Sequence, residues 1–281
     1  MSKFGIPKTY KLFIGGKFPR TESGRILAVT GPKGEFLTNV SRASPKDFRN
    51  SAVAARKASG GWACASAYLR GQILYRIAEI LDGRTDQFKN EMTLQGVSPV
   101  AAKKDIAAAI DLLIHYAGWS DKYQQLFSNV NPVSSPYFNF SVPEPSGVVA
   151  VVAPSDGSLA GLVSVMAPVL VGGNGSVILV SGNPLSAISF AEVLATADVP
   201  AGVVNILTGQ RDELVPAFAR HMDVNALLLC SNDAKERKSA ELEAVENLKR
   251  VSLQPDAPLS QSPYRILDFQ ETKTTWHPVG V

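Results

Sequence analysis

The most restrictive feature of this chain is a rhythm in its second half. Short, almost wholly apolar runs recur there: Val148-Val-Ala-Val-Val-Ala-Pro, Ser176-Val-Ile-Leu-Val, Val203-Val-Asn-Ile-Leu-Thr and Ala226-Leu-Leu-Leu-Cys. Runs without polar alternation read as strands covered on both faces, the habit of parallel sheets. Segments of helical pattern lie between and after them, at 159–171, Ala187–Ala197, Asp212–His221 and 233–246. Parallel neighbours need crossover connections, and these are right-handed. The pattern therefore predicts an α/β fold built on a doubly wound, Rossmann-like parallel sheet.

The first half has a different texture. Tyr10-Lys-Leu-Phe-Ile alternates and stops at Gly15-Gly16, a hairpin signal, and Pro32-Lys33-Gly34 marks another turn. Ser44 followed by Pro45 is a helix start, and that helix runs through Ala52, Val53, Ala55 and Ala58. Leu69, Ile73, Leu74, Ile77 and Leu81 recur at helical spacing over Ala67–Leu81. Asp86–Thr93 gives a third helix and Val100–Lys122 a long fourth, with Ile106, Ile110, Leu113, Ile114 and Ala117 on one face. After a loop at Asn131–Pro136, the stretch Tyr137–Pro145 alternates as a half-exposed strand. The tail breaks the rhythm, with a connector at Pro255–Pro263 and then a strand over Arg265–Trp276 that no helix follows. A lone strand needs a partner.

Composition narrows the function. The length of 281 residues suits one large domain or one and a half, and 45% apolar against 19% charged residues argues against disorder. A net charge of +3 without a basic run gives no footing for nucleic acid or an anionic membrane. No apolar stretch reaches membrane-spanning length, and the N-terminus lacks the apolar core of a secretion signal, so the expectation is a soluble cytoplasmic protein. Two separate cysteines, Cys64 and Cys230, fit a reducing compartment. The three histidines His115, His221 and His277 have no metal-pair spacing, so no metal site is expected.

Reactive groups are scarce. No phosphate-cradling glycine motif follows a strand, and Gly172-Gly-Asn-Gly precedes one, reading as a turn. No G-x-S-x-G elbow occurs. Cys230 ends an apolar strand and reads as a buried, inert thiol; His115 reads as a packing residue beside Tyr116; and Asp233–Arg237 reads as a solvated helix face. Asp156 sits where a strand ends and is read chiefly as a helix N-cap, secondarily as a functional residue.

Several motifs together resemble the aldehyde dehydrogenase family. They are Phe13-Ile-Gly-Gly-Lys-Phe, Tyr116-Ala-Gly-Trp-Ser-Asp-Lys, Glu144-Pro-Ser-Gly-Val-Val-Ala-Val-Val-Ala-Pro, Pro200-Ala-Gly-Val-Val-Asn-Ile-Leu-Thr-Gly, Asn247-Leu-Lys-Arg-Val-Ser-Leu and Asp268-Phe-Gln-Glu-Thr-Lys-Thr-Thr-Trp. The chain is most similar to the cysteine-less second half of aldehyde dehydrogenase family 16 proteins. The resemblance implies a coenzyme-binding domain over 1–130 and 148–255. It implies a projecting two-strand oligomerisation arm over 131–147 and 256–281, carrying Tyr137, Phe138, Phe140, Phe269 and Trp276, and no catalytic domain between Leu253 and Arg265. NAD(P) is the cofactor so implied, with Val152, Ala153, Pro154 and Gly209 as the surviving candidate contacts.

The departures from the family pattern weigh more. Ser155-Asp156 stand where a Trp-Asn pair would donate to an oxyanion, and a carboxylate there repels the developing charge. Leu179-Val-Ser-Gly-Asn lacks the Lys and Glu that hold the ribose. The Gly-Ser pair that meets the pyrophosphate is replaced around Ser231-Asn232. Gln254 aligns with the general base and has no useful basicity. The nucleophilic Cys has no counterpart, so no catalytic residue is assigned. The resemblance thus implies a pseudoenzyme that forms a homodimer, or a hetero-oligomer with an active aldehyde dehydrogenase, as an oligomerisation or regulatory subunit. The alternative is NAD(P)-dependent aldehyde oxidoreductase activity within a complex shared with a full-length aldehyde dehydrogenase. A third reading is a small-ligand binder centred on Asp156.

Overall fold

In a computed structural model describing residues 8–257 and 261–280, the chain begins with a hairpin, β1 (Ile26–Thr30) and β2 (Phe36–Ser41). Helices α1 (Pro45–Ala63), α2 (Ala67–Gly83), α3 (Thr85–Leu94), α4 (Pro99–Trp119) and α5 (Tyr123–Phe127) follow. Next come β3 (Asn129–Asn131), β4 (Tyr137–Pro145), β5 (Val148–Val152), α6 (Leu159–Val171), β6 (Gly175–Val180), α7 (Pro184–Thr196) and β7 (Val204–Thr208). The chain continues through α8 (Arg211–Arg220), β8 (Ala226–Cys230), α9 (Ala234–Ala244), β9 (Arg250–Gln254), α10 (Tyr264–Leu267) and β10 (Gln270–Pro278). Residues 1–7, at the start of the expected 1–130 segment, residues 258–260 of the connector and residue 281 lie outside the described residues.

The alternation of strand and helix becomes the expected α/β fold. Five parallel strands lie in the order β7-β6-β5-β8-β9. Each apolar run feeds two cores, because successive side chains of a strand point to opposite faces. Val148, Ala150 and Val152 join Phe48, Leu214 and Phe218 on the face covered by α1, α8 and α9. Val149 and Val151 join Val163, Met166 and Ile188 on the other face, covered by α6 and α7 with α2 and α4 outside them. All thirteen residues of α6 are buried.

Local chemistry sets the helix starts. Ser44 closes a capping box with Asp47, Pro45 occupies the first turn, and Ser66, Ser98 and Ser158 cap α2, α4 and α6. The alternation at Tyr10–Ile14 does not make a regular strand. Phe13 instead exchanges main-chain hydrogen bonds of 2.9 and 2.8 Å with Ile206, closing the outer edge of β7. The turn beyond it has both Gly15 and Gly16 at positive φ, and a Cβ on Gly16 would lie 2.8 Å from that of Ala201.

The antiparallel sheet differs from the two strands expected. Its order is β10-β4-β3, so it has three strands, and the third is anchored by Asn131, whose Nδ2 donates to Asn139 Oδ1 and Ser141 Oγ. The tail strand also begins later than its sequence pattern suggests. Residues 264–267 form a helical turn that drops Ile266 and Phe269 into the core beside α6, and pairing with β4 starts at Gln270.

Candidate functional site

The strand order reverses between β5 and β8, whose carboxyl ends are therefore neighbours. Ligand crevices of doubly wound sheets lie at such a switch point. The floor here is Val152, Ala153 and Pro154, all buried. Gly209, the fourth candidate, ends β7, two strands away, and a Cβ on it would meet Leu214 Cδ1 at 2.6 Å. It serves the packing of α8 against the sheet and does not join the other three.

Arg211, which the sequence did not single out, fills the switch point. It opens α8 and reaches across the ends of both central strands. Its Nη1 donates to the Ala153 carbonyl at 3.1 Å and its Nη2 to the Cys230 carbonyl at 2.6 Å, while Nε and Nη2 donate to the two Glu236 carboxylate oxygens at 3.0 and 2.9 Å. A planar guanidinium suits this two-sided task.

The helix N-termini that border the crevice are occupied as well. Asp105 of α4 accepts from the main-chain N–H groups of Leu159 at 2.8 Å and Ala160 at 3.1 Å, the first of α6. Burial pushes its carboxyl above the usual range against the pull of those two donors. Ser158 is the N-cap of α6, which corrects the reading of Asp156: the Asp156 side chain accepts from Ser158 N and Oγ and shapes the loop one step earlier. Gly157 in that loop has φ of +65°, and a Cβ there would collide with the main chain of Gly182. At α9, Asp233 accepts from Lys235 N at 2.8 Å. Beyond β9, Asp256 accepts from Ser155 N at 2.6 Å and from Ser155 Oγ, and donates through its own N–H to Asn232 Oδ1 at 3.1 Å. Gln254 turns back on its strand, donating to Ser252 Oγ at 3.0 Å.

This arrangement does not fit a dinucleotide. Main-chain donors that would receive a pyrophosphate already hold carboxylates, and Asp156, Asp233 and Asp256 add negative charge beside them.

The cysteines lie apart. Cys230 is buried at the end of β8, and burial pushes its thiol up to about 12. Cys64 is exposed just past α1, where Ala63 lies by Gly173 at the opposite, amino edge of the sheet. His115 stacks edge-on against Tyr116, with burial lowering its pKa. Among the described residues no group of three or more His, Cys, Asp or Glu is placed to hold a metal, and no helix is long and apolar enough to cross a membrane.

The antiparallel sheet carries most of the aromatic candidates. Tyr137 packs against Trp276 with ring centroids 5.9 Å apart, and Phe138 against Phe140 at 5.6 Å. Tyr137, Phe138 and Trp276 are exposed, whereas Phe269 is 1% exposed and belongs to the core. β10 forms one edge of this sheet, and no described strand pairs with its outer side.

Comparison with known proteins places these features. The model of the aldehyde dehydrogenase family matches residues 19–257. The chain is 30% identical over 252 residues to the mitochondrial 10-formyltetrahydrofolate dehydrogenase of Mus musculus, covering 87% of this chain and 27% of that one. It is 31% identical over 252 residues to the putative aldehyde dehydrogenase DhaS of Bacillus subtilis (strain 168), covering 88% of this chain and 50% of that one. Among solved structures, PnpE from Pseudomonas sp. WBC-3 superposes with a TM-score of 0.83 at 27% identity, over 88% of this chain and 51% of that one. The NAD+ complex of an aldehyde dehydrogenase from Bacillus cereus gives 0.81 at 27%, over 88% and 50%. The chain thus spans half or less of the length of these two curated relatives.

Proposed function

Because the chain belongs to the aldehyde dehydrogenase family, we propose that it works as a catalytically inactive member whose task is assembly. One observation carries the reading: Cys230, the cysteine at the crevice, is fully buried with its thiol pushed up to about 12. A neutral, enclosed thiol cannot attack an aldehyde carbonyl. Gln254 supplies no base, and Asp156 opposes an oxyanion.

In this reading residues 131–147 and 256–281 form an arm that pairs with a second copy or with a full-length aldehyde dehydrogenase, and the remainder is the coenzyme-type domain. The free side of β10 and the exposed Tyr137, Phe138 and Trp276 support it, since a long unpaired edge beside aromatic side chains is a template for another chain. Light scattering during size exclusion is expected to give a dimer, and assays with NAD+ or NADP+ and a range of aldehydes no turnover. A monomer at every concentration, alone and mixed with a full-length aldehyde dehydrogenase, would sink the assembly reading. Turnover by the chain alone would sink the inactive one. The competing reading, a share in an NAD(P)-dependent site, draws on the cavity of about 510 Å³ between α8 and α9. Turnover confined to such a mixture, beyond that of the partner alone, would favour it.

A further inference from the structure

At the switch point the chain's own side chains already hold main-chain donors and acceptors that border the crevice. Arg211 has the carbonyls of Ala153 and Cys230, the ends of the two central strands. Asp105 has the first N–H groups of α6, Asp233 an N–H of the first turn of α9, and Asp256 the N–H and hydroxyl of Ser155 in the loop after β5. Asn232, in the loop after β8, accepts from Asp256.

We infer that the crevice is liganded by the protein itself and takes no NAD(P): Arg211 and the carboxylates of Asp105, Asp233 and Asp256 occupy the contacts of a dinucleotide, and the Arg211–Glu236 pair clasps the two strand ends together. The inference deepens the inactive reading given above and rests on it for the choice of ligand class.

The argument is one of competition. A tethered carboxylate is present at its helix N-terminus at an effective concentration that free ligands do not reach. A pyrophosphate would have to expel these groups and then remain beside them, like charge against like. The cation offers no relief. Arg211 and Glu236 retain only 17% and 20% side-chain exposure, and the guanidinium donates to two carbonyls and two carboxylate oxygens at once. A ligand that recruited Arg211 would leave Glu236 and both carbonyls without it.

Titration calorimetry of the intact chain tests this with NAD+ and NADP+ raised to about 1 mM, the upper end of ordinary enzyme affinities. No saturable heat and an unchanged melting midpoint are expected. One-site binding at about 100 μM or tighter would overturn the inference. The clasp has its own readout: Arg211→Met is expected to lower the melting temperature by several degrees with the native circular dichroism retained at 20 °C. A variant that melts with the wild type would refute the clasp. Neither measurement reads out oligomeric state or turnover, and at one fixed protein concentration this inference and the assembly reading can fail separately.

Discussion

Asn174 and Phe269, 95 residues apart, are joined by a 3.0 Å hydrogen bond from the Asn174 amide to the Phe269 carbonyl. The same side chain accepts from Gly147 N at 2.9 Å, so one buried amide fastens the end of β4 and the start of β10 where they meet the parallel sheet. Asn174→Ala leaves the Gly147 N–H without its acceptor, while the Phe269 carbonyl keeps Ser146 N and Gln270 Nε2 as donors. It is expected to cost about 2–3 kcal/mol in denaturant unfolding and to speed amide exchange in β4 and β10.

The start of α1 depends more on Asp47 than on the capping serine. Asp47 accepts from Ser44 N at 2.9 Å, Thr21 Oγ1 at 2.6 Å and Glu22 N at 3.1 Å. Ser44→Ala is expected to cost about 1 kcal/mol. Asp47→Ala should cost more, about 2–3 kcal/mol, because several donors lose their acceptor. Equal losses in thermal melting would contradict this ranking.

Asp105 is the acceptor at the head of a helix that has no polar face. Asp105→Ala is expected to destabilise by about 1–2 kcal/mol, with Asp105→Asn in between because one oxygen remains to accept. Chemical denaturation of the three proteins would show the order.

The two cysteines should separate cleanly by reactivity. At about pH 8, iodoacetamide is expected to modify Cys64 in the native protein and spare Cys230, with both reacting in denaturant. Mass spectrometry of peptides reads the sites; native labelling of Cys230 at the rate of Cys64 would contradict its burial.

Lys249 gives the fold a slope in pH. It is 8% exposed, its ammonium donates to the His221 carbonyl at 2.8 Å, and burial lowers its pKa from 10.5 to about 8. The unfolded chain therefore binds the extra proton between those values, and stability rises with pH across that window. Below about 8 both states are protonated and the cost of burying the charge is fully present. The melting temperature is expected to climb between about pH 8 and 9.5 and to lose most of that climb in Lys249→Met.

The parts of the fold set by repeated local pattern were legible in the sequence. The apolar runs at 148, 176, 203 and 226 became β5 to β8, and the spaced Leu and Ile of Ala67–Leu81 became α2. Parts fixed by single long-range contacts were not. Asn129–Asn131 is too short to show a period and is held by the Asn131 amide. Arg265–Leu267 reads as strand, yet the cores below claim Ile266 and Phe269 and wind it into a turn. At the crevice, Asp156, Ser231-Asn232 and Gln254 stood out in the sequence as departures from the family resemblance. The contacts made there were not legible. Arg211 looks like any basic residue at a helix start, and Asp256 like any residue of a Pro/Ser connector, until the strand ends bring their partners to them.

The burial of α6 on every side sets how this chain can be cut. The helix meets β5 and β6 below and α2, α4 and α10 above, so neither layer can be removed without baring a thirteen-residue apolar rod to water. A fragment made of the parallel strands alone would therefore aggregate, however regular its strand and helix pattern. A gene rearrangement that trims the polypeptide back past α10 is expected to bare one side of that rod, since Ile266 and Phe269 lie in its core. On that ground the outer helices and the sheet are expected to be inherited together, as one module.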